Sequence, residues 1–251
     1  MLKRRLFLLL AVLLPLLGFA QAKSVPYFSQ IGGTSKLDAD WTVYNVNGDE
    51  KTWINDASPS TYSSISAVKV TAGAKYLYNT NADANDWLVS PAIHLEADKE
   101  YKVSFYVKTS GSYKESLRLA VANANSAEDM ATKSETLLDF PELTEKTFVK
   151  KSVVYVARES GDYYFGLYEY SKKDLYNVFV TAFSVAENIT TPAPVTGLTA
   201  TEGANEAITV DLKWTLPTKD EDGKDLTTPL TGVEVYRDGT LVKTLEGTAT
   251  A

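Results

Sequence analysis

One segment of the chain, residues 101–108, alternates strictly between apolar and polar side chains. Its apolar positions are Tyr101, Val103, Phe105 and Val107. Its other positions are Lys102, Ser104, Tyr106 and Lys108. A period of two residues is typical of a β-strand with one buried face, so the pattern predicts a half-buried strand. Pro91 and the polar pair Asp98-Lys99 precede it, and they predict the bend that leads into the strand.

Similar alternation, or short runs rich in aromatic and β-branched residues, predicts further strands along the chain. These strands are expected at 41–46, 63–70, 75–78, 115–122, 150–157, 163–170 and 176–185. Only residues 124–133 favour a short helix. The 15 tyrosines and 9 phenylalanines against 2 methionines also favour strands, so the sequence predicts an all-β protein.

The first 22 residues have the three parts of a secretory signal peptide. Three cations, Lys3-Arg4-Arg5, precede an apolar run over residues 6–17, and the small residues Ala20 and Ala22 follow. The run is shorter than the roughly 20 residues that span a bilayer. We therefore expect export to the cell surface or the medium, with no integral membrane segment left after cleavage.

A change of composition at residues 189–195 predicts a linker between two domains. Its Thr-Thr-Pro-Ala-Pro stretch is stiff and extended. Beyond it, Ile208, Val210, Leu212 and Trp214 alternate with polar residues, and Asp238-Gly239 is typical of a hairpin turn. The expected organisation is a signal peptide at 1–22, one domain at 23–188, the linker at 189–195 and a second module at 196–251.

The overall charge and the absence of cysteine exclude some classes of protein. Removal of the signal peptide moves the formal net charge from −7 to −10, and the lysines and arginines do not cluster. A nucleic-acid partner is not expected from this charge distribution. With no cysteine, an exported chain must fold by burying its core or binding ions, which a domain of about 150 residues can do.

Two stretches of the first domain resemble a known family. The first is W-L-V-S-P-A-I-x-L at 87–95 followed by Y-x-V-S-F at 101–105, and the second is G-D-Y-Y-F-G-L at 161–167 with a closing strand. Both resemble the cleaved-adhesin, or choice-of-anchor J, family of jelly-roll β-sandwich domains found in secreted Bacteroidetes-type surface proteins. The resemblance implies binding or spacing outside the cell, as an accessory region of a larger surface protein or secreted peptidase.

The second module resembles the first half of a fibronectin type III domain, an immunoglobulin-like β-sandwich. The likeness is carried by P-x-P-V-T-G-L-x-A at 192–200 and G-V-E-V-Y-R-D-G at 232–239. Such sandwiches need about 100 residues, and fewer than 60 follow the linker. We expect an incomplete sandwich, either as a fragment of a longer protein, which we favour, or completed by a partner strand.

The sequence offers little for catalysis, and we expect no enzyme activity. His94 is the only histidine, and its position predicts an imidazole at the surface. No motif of a serine hydrolase, zinc protease or nucleotide-binding enzyme is present. The acidic runs at 128–129 and 220–222 lie in polar segments, where solvated carboxylates lack the burial that general acid catalysis requires.

Asn45, Asn47 and Asp49 place three oxygen-bearing side chains around Gly48, an array that a calcium ion can use. The loop also resembles a D-x-D-G-D loop that precedes a tryptophan in cleaved-adhesin domains, where the bound calcium is structural. Here asparagine replaces two of the acids, which weakens cation binding. Two interpretations remain open: a structural calcium site, or a plain hydrogen-bonded turn.

The tyrosines expected on outward strand faces favour a binding face for an extracellular glycan. Tyrosine rings on a β-sandwich can stack against sugars, and several tyrosines are expected on outward strand faces. The candidates are Tyr62, Tyr76, Tyr78, Tyr164, Tyr168 and Tyr170, among which we assign ligand binding to Tyr62, Tyr76, Tyr78 and Tyr168. The alternative is that these rings only pack within the domain.

The expected function is therefore non-catalytic adhesion or binding outside the cell, with a glycan or protein ligand. One alternative is a carbohydrate-binding module of a glycan-degrading enzyme, which requires an exposed row of aromatic rings. A second alternative is a structural spacer, which requires no binding surface.

Overall fold

A computed structural model of the chain describes residues 21–189, 191–203, 209–221, 223–226 and 229–247. The chain divides into two compact units between Glu187 and Asn188. Most of the predicted signal peptide, residue 190 of the predicted linker, and Ile208 and Asp222 lie outside the described residues.

The first unit contains twelve strands and two short helices among its described residues. In chain order they are β1 Tyr27–Ser29, β2 Thr42–Asn45, β3 Trp53–Asp56, α1 Pro59–Tyr62, β4 Gly73–Tyr76, β5 Asp86–Val89, β6 Ile93–Leu95, β7 Glu100–Thr109, β8 Glu115–Ala122, α2 Ala127–Lys133, β9 Glu135–Leu143, β10 Val149–Val156, β11 Gly161–Glu169 and β12 Val178–Glu187.

These strands form two antiparallel sheets that face each other as a sandwich. The first, called sheet I, has the order β10-β7-β12-β4-β3, and β1 also pairs with β12. The second, sheet II, has the order β2-β5-β11-β8-β9, and β6 also pairs with β11. Apart from β3-β4 and β8-β9, neighbouring strands are not consecutive in the chain, so long-range pairing and not local hairpins sets the architecture.

The core lies between the sheets and is built from alternate residues of the long strands. The predicted inward face of β7 is at most 2% exposed at Tyr101, Val103, Phe105 and Val107. The predicted inward residues of β8, Leu117, Leu119 and Val121, are equally buried. Aromatic rings join the sheets: Phe165 of β11 lies 5.8 Å from Phe183 of β12, centroid to centroid. An all-β sandwich is therefore the fold of this unit.

One predicted strand is wrong, and five strands of the first unit were missed: β1, β3, β5, β6 and β9. Residues 63–70 form no strand; they follow α1, and Ile65 and Val70 pack on the outer face of sheet I with Tyr62 and Ala182. Their apolar character comes from covering a sheet and not from joining one. The longest missed strand is β9; its pairing with β8 shifts register twice, so its apolar residues do not follow a period of two.

The predicted short helix is confirmed as α2. Ser126 lies at its N-cap, and its hydroxyl accepts a hydrogen bond of 3.0 Å from the Asp129 N–H. This side chain satisfies one of the free N–H groups of the first turn, which is why a serine at this position starts the helix. The other end carries Lys133, whose ammonium lies 2.6 Å from the Asp129 carboxylate.

The described part of the second unit consists of two antiparallel strand pairs. β13 (Thr196–Glu202) pairs with β14 (Val210–Thr215), and β15 (Gly232–Arg237) pairs with β16 (Thr240–Glu246). The second pair closes at Asp238-Gly239, both with positive φ, as the hairpin signal predicts. Assignment to a fibronectin type III sandwich stays a prediction. In the described residues of both units, no helix has the length and apolar character needed to cross a membrane.

We predict that Phe105→Ala destabilises the first unit strongly. Phe105 is completely buried in the core, so its removal leaves a cavity and should lower the free energy of unfolding by about 3–5 kcal/mol. Lys102→Ala, at an exposed position of the same strand, is the control and should change it by less than about 0.5 kcal/mol. Urea unfolding of both variants measures the difference; equal stabilities would contradict the assigned inward face of β7.

Candidate binding face

A row of aromatic and charged side chains crosses the outer face of sheet II from one edge to the other. The backbone register pairs Tyr44 with Trp87, Trp87 with Tyr168, Tyr168 with Arg118, and Arg118 with Asp139. On its strand, each of these residues adjoins a residue that points the other way, into the core, such as Leu88 or Leu167. We call these five residues the sheet II row. Because strands alternate strictly, burying the core residues turns the whole row outward.

The rings of the row are stacked against one another. The Trp87 and Tyr168 rings lie 4.5 Å apart at an interplanar angle of 24°, and Tyr170 continues the stack at 5.6 Å and 14° from Tyr168. Trp87 is only 3% exposed, whereas Tyr44, Tyr168 and Tyr170 are half-buried. Trp87 is therefore the buried end of the stack that continues through Tyr168 to Tyr170, and the tyrosines keep part of their surface in solvent.

The polar end of the row is held by hydrogen bonds that leave it accessible. The Tyr170 hydroxyl donates to Asp139 Oδ1 at 2.6 Å, and the Arg118 guanidinium lies 3.4 Å from the same carboxylate and 5.2 Å from the centre of the Tyr170 ring. Burial, and then the Asp139 carboxylate, raises the pKa of Tyr170 to about 12. Tyr170 thus keeps its proton at neutral pH, and this end offers both donors and acceptors.

Helix α2 covers part of this face and limits its open surface. Met130 is completely buried and packs in one cluster with Trp87, Val89 and Ala120. A Cβ atom on Gly166 would lie 2.5 Å from Met130 Cε and 2.7 Å from Trp87 Cε3. Only glycine fits at residue 166, since any side chain would push the helix and the tryptophan away from the sheet.

The structure separates the four tyrosines predicted to bind a ligand. Tyr168 lies in the sheet II row. Tyr78 lies in a loop, where it stacks with Tyr176 at 5.1 Å. The prediction is wrong for Tyr62 and Tyr76, which are 0% and 1% exposed and so have no face free for a sugar.

The residues considered for catalysis do not come together. His94 is exposed, and its Nδ1 lies 2.9 Å from Asp162 Oδ1 in a hydrogen bond at the surface. A groove of about 530 Å³ between the edges of β9 and β10 is lined by residues that include Leu137, Tyr155 and Arg158. Neither His94 nor a buried carboxyl lines this groove.

Three carboxyl groups are buried in the interior near the strand ends. Asp86 and Glu169 are cross-strand partners, and Glu115 lies on the next strand. The Ser171 hydroxyl donates to Glu169 Oε1, and the Tyr176 N–H donates to Glu115 Oε1 at 2.6 Å. The second oxygen of each glutamate, and Oδ1 of Asp86, have no hydrogen-bond partner in the described residues. Sequence reasoning missed these acids, because their spacing resembles that of solvated residues.

Burial makes ionisation of these groups unfavourable. It raises the pKa of Asp86 to about 6, raises that of Glu115, and raises that of Glu169 well above its ordinary value, the last also because Glu115 is nearby. Among the described residues, no group of three or more histidine, cysteine, aspartate or glutamate side chains is placed to hold a metal ion.

The loop considered for calcium is filled by its own hydrogen bonds. Asn45 Oδ1 accepts from the Gly48 N–H at 2.9 Å, and its Nδ2 donates to the Asp49 carbonyl. Asp49 Oδ1 accepts from the Lys51 N–H at 2.7 Å, and Oδ2 accepts from the side-chain amide of Asn47 at 3.1 Å. N–H groups therefore donate to both carboxylate oxygens of Asp49, the atoms that would coordinate a cation. These donors do not fit a calcium ion, and the geometry favours the hydrogen-bonded turn.

We predict that Glu169→Gln weakens the pH dependence of stability. The pKa of Glu169 is higher in the folded than in the unfolded chain, so its contribution to stability is full below about pH 4.5 and is lost as pH rises. The unfolding midpoint of the wild type should fall more steeply between about pH 5 and about pH 8 than that of the variant. Calorimetry at several pH values measures this, with the exposed-site variant Glu128→Gln as control. Equal slopes in all three proteins would contradict the prediction.

We also predict that a chelator leaves the melting midpoint of the wild type unchanged, because the loop is held by amide hydrogen bonds. Asn45→Asp/Asn47→Asp restores two acids at the same positions and should melt lower in chelator than in excess calcium, since three carboxylates repel one another without a cation. Calorimetric melting in both buffers tests this. A wild-type midpoint that falls in chelator would show that the calcium interpretation is correct.

Comparisons with known proteins agree with the architecture. Neither a scan of protein-family models nor a search of curated proteins found a match. The K1 cleaved adhesin domain of Lys-gingipain from Porphyromonas gingivalis W83 aligns with a TM-score of 0.50 and 15% identity, covering 65% of this chain and 99% of that one.

Two further solved structures align less closely. The K3 cleaved adhesin domain of the same protein has a TM-score of 0.48 and 17% identity, covering 64% of this chain and 96% of that one. A carbohydrate-binding module, TmCBM61 in complex with β-1,4-galactotriose, has a TM-score of 0.44 and 14% identity, covering 60% and 90%. At these sequence identities, the structural similarity shows the fold alone. The two facing antiparallel sheets of the first unit have a cleaved-adhesin-like fold.

Proposed function

We propose that the first unit is an exported, non-catalytic binding module that takes a glycan on the sheet II row. One observation carries this proposal: aromatic and charged side chains on five adjacent strands form a single continuous row on an outer face. A module that serves only as a spacer has no need for such a row.

The chemistry of the row suits a sugar. A pyranose ring has apolar C–H faces and polar hydroxyl groups at its edge. The half-buried surfaces of Tyr44 and Tyr168 offer apolar area with little conformational entropy to lose, because Tyr44 packs against the cluster of Trp87 and Tyr168 stacks with Trp87 and Tyr170. Arg118 and Asp139, about 34% and 40% exposed, can donate to and accept from the hydroxyl groups at one end.

The proposed setting is outside the cell. It is supported by the signal-like N-terminal sequence. The stiff linker and the strand pairs that follow it suit an accessory region of a larger surface protein or secreted peptidase. Adhesion to an extracellular protein through the same row is the second candidate, and it requires the same exposed aromatics.

A glycan array with residues 23–251 tests the proposal. We expect binding to a defined class of sugar, and we expect Tyr168→Ala to lower the affinity roughly tenfold through loss of one stacking ring. Tyr113→Ala removes an equally large exposed ring outside the row, 48% exposed in a loop, and should leave binding unchanged.

Two outcomes would contradict the glycan assignment. Silence of the array would leave protein adhesion or a spacer role in its place. Binding that survives Tyr168→Ala and is lost in Tyr113→Ala would move the site away from sheet II.

A further inference from the structure

The outer face of sheet I carries a second row, in which apolar and cationic side chains alternate. The backbone register pairs Ile54 with Lys75, Lys75 with Phe179, and Phe179 with Lys108. Phe148, just before β10, lies beyond Lys108. We call these five residues the sheet I row. It follows the same strand alternation as the sheet II row and lies on the opposite side of the sandwich.

The two ammonium groups of this row lie against aromatic rings. Lys108 Nζ is 4.8 Å from the centre of the Phe179 ring and 5.2 Å from that of Phe148. Lys75 Nζ is 5.7 Å from the same Phe179 ring. Cation–π contacts of this kind favour positions of the two ammonium groups beside the same ring, and β4 and β7 bring the two lysines to opposite sides of β12.

Neither ammonium has an acidic partner within 4.0 Å in the part of the chain that the structure describes. Seven other lysines do form ion pairs there: Lys23, Lys99, Lys114, Lys133, Lys151, Lys172 and Lys219. In a mature chain with a formal net charge of −10, acids are plentiful. Other lysines, such as Lys102 and Lys150, also lack an ion pair there, so the distinguishing feature of Lys75 and Lys108 is that both ammonium groups lie against one aromatic ring.

Partial burial makes the charge of Lys108 less favourable than it would be in water. Burial lowers the pKa of Lys108, and the carboxylate of Asp56 offsets this only in part. Asp56 accepts a hydrogen bond from the Tyr62 hydroxyl at 3.2 Å and so is itself engaged. A bound anion would supply the missing counter-charge and restore the ordinary pKa of this lysine.

The row is bounded on one side and open elsewhere. Tyr62 of α1 stacks on Phe148 at 5.3 Å and 29°, and Ile65 and Val70 cover the neighbouring part of the sheet. This cover ends at Phe148, whereas Ile54 at the other end is 37% exposed. The open part is a strip of surface and not a closed pocket, which suits a polymer better than a small molecule.

We propose that the sheet I row is a second binding face, and that its ligand is a polyanionic glycan of uronic acid units. Each sugar of such a polymer carries one carboxylate, so apolar ring faces and negative charges alternate along it, as apolar and cationic side chains alternate along the row. Lys75 and Lys108 would each meet a carboxylate, and Phe179 would lie against the ring between them. This face does not depend on the glycan assignment of sheet II.

The test is a binding titration of residues 23–251 with polygalacturonate, by calorimetry. The same polymer with its carboxylates methyl-esterified is the uncharged comparison, and dextran sulfate is the sulfated one. We expect measurable binding to polygalacturonate alone, weakened by added salt, since a charge-based contact at a surface is screened.

Two double variants distinguish binding at this row from binding that depends only on the overall charge of the protein. Lys75→Gln/Lys108→Gln should lower the affinity by about tenfold or more, because two charge-assisted contacts are lost. Lys102→Gln/Lys150→Gln removes the same charge from exposed positions of the same sheet, outside the row, and should change the affinity less than about twofold. Lys75→Gln alone, at the row's more open end, keeps the test valid if the double variant does not fold.

Tyr168→Ala should leave polygalacturonate binding intact, which separates this proposal from the one for sheet II. Equal loss in both double variants would overturn the assignment to the row. Binding of the esterified polymer as tight as that of the acid, or no binding of polygalacturonate, would overturn the proposal. Tighter binding of dextran sulfate, lost in Lys75→Gln/Lys108→Gln, would overturn the choice of carboxylate.

Discussion

Burial of alternate side chains between two antiparallel sheets is the constraint on which the first unit depends. With no cysteine in the chain, stability must come from this core, where Phe165 of one sheet lies against Phe183 of the other. Since neighbouring residues of a strand face opposite ways, each core residue fixes the direction of the residues beside it. The inner pattern therefore determines what the outer faces display.

The two outer faces carry different chemistry as a result. Sheet II presents stacked tyrosines on a buried tryptophan, with an arginine and an aspartate at one end. Sheet I presents two unpaired lysines that flank a phenylalanine. Short helices and loops cover part of each face: Met130 of α2 closes one side of the first, and Tyr62 of α1 closes one side of the second. Both surfaces are thus bounded strips on a rigid support, an arrangement that keeps the entropy lost on binding small.

The interior also contains a feature that packing alone does not require. Asp86, Glu115 and Glu169 are completely buried, and some of their oxygens have no hydrogen-bond partner among the described residues. Apolar residues of similar size would be more stable at these places at neutral pH. Asp86 and Glu169 immediately adjoin Trp87 and Tyr168 on their strands, and the two pairs are cross-strand neighbours in the register of β5 and β11.

The sequence by itself determined the strand character of the chain, because a period of two residues follows from the geometry of a single extended strand. It predicted the inward faces of β7 and β8, the helix α2 and the resemblance to cleaved-adhesin domains from local patterns. It could not predict that residues 63–70 cover a sheet, since apolar residues serve both roles.

Only the tertiary structure decided which residues share a face. Tyr168 and Arg118 are 50 positions apart in the sequence and become cross-strand partners, and Lys75, Lys108 and Phe179 meet in the same way. Tyr76 and Tyr78 differ by two positions, yet one is buried and the other is not, because β4 ends between them. The physical reason is that sheet register is set by long-range pairing, which no local pattern contains.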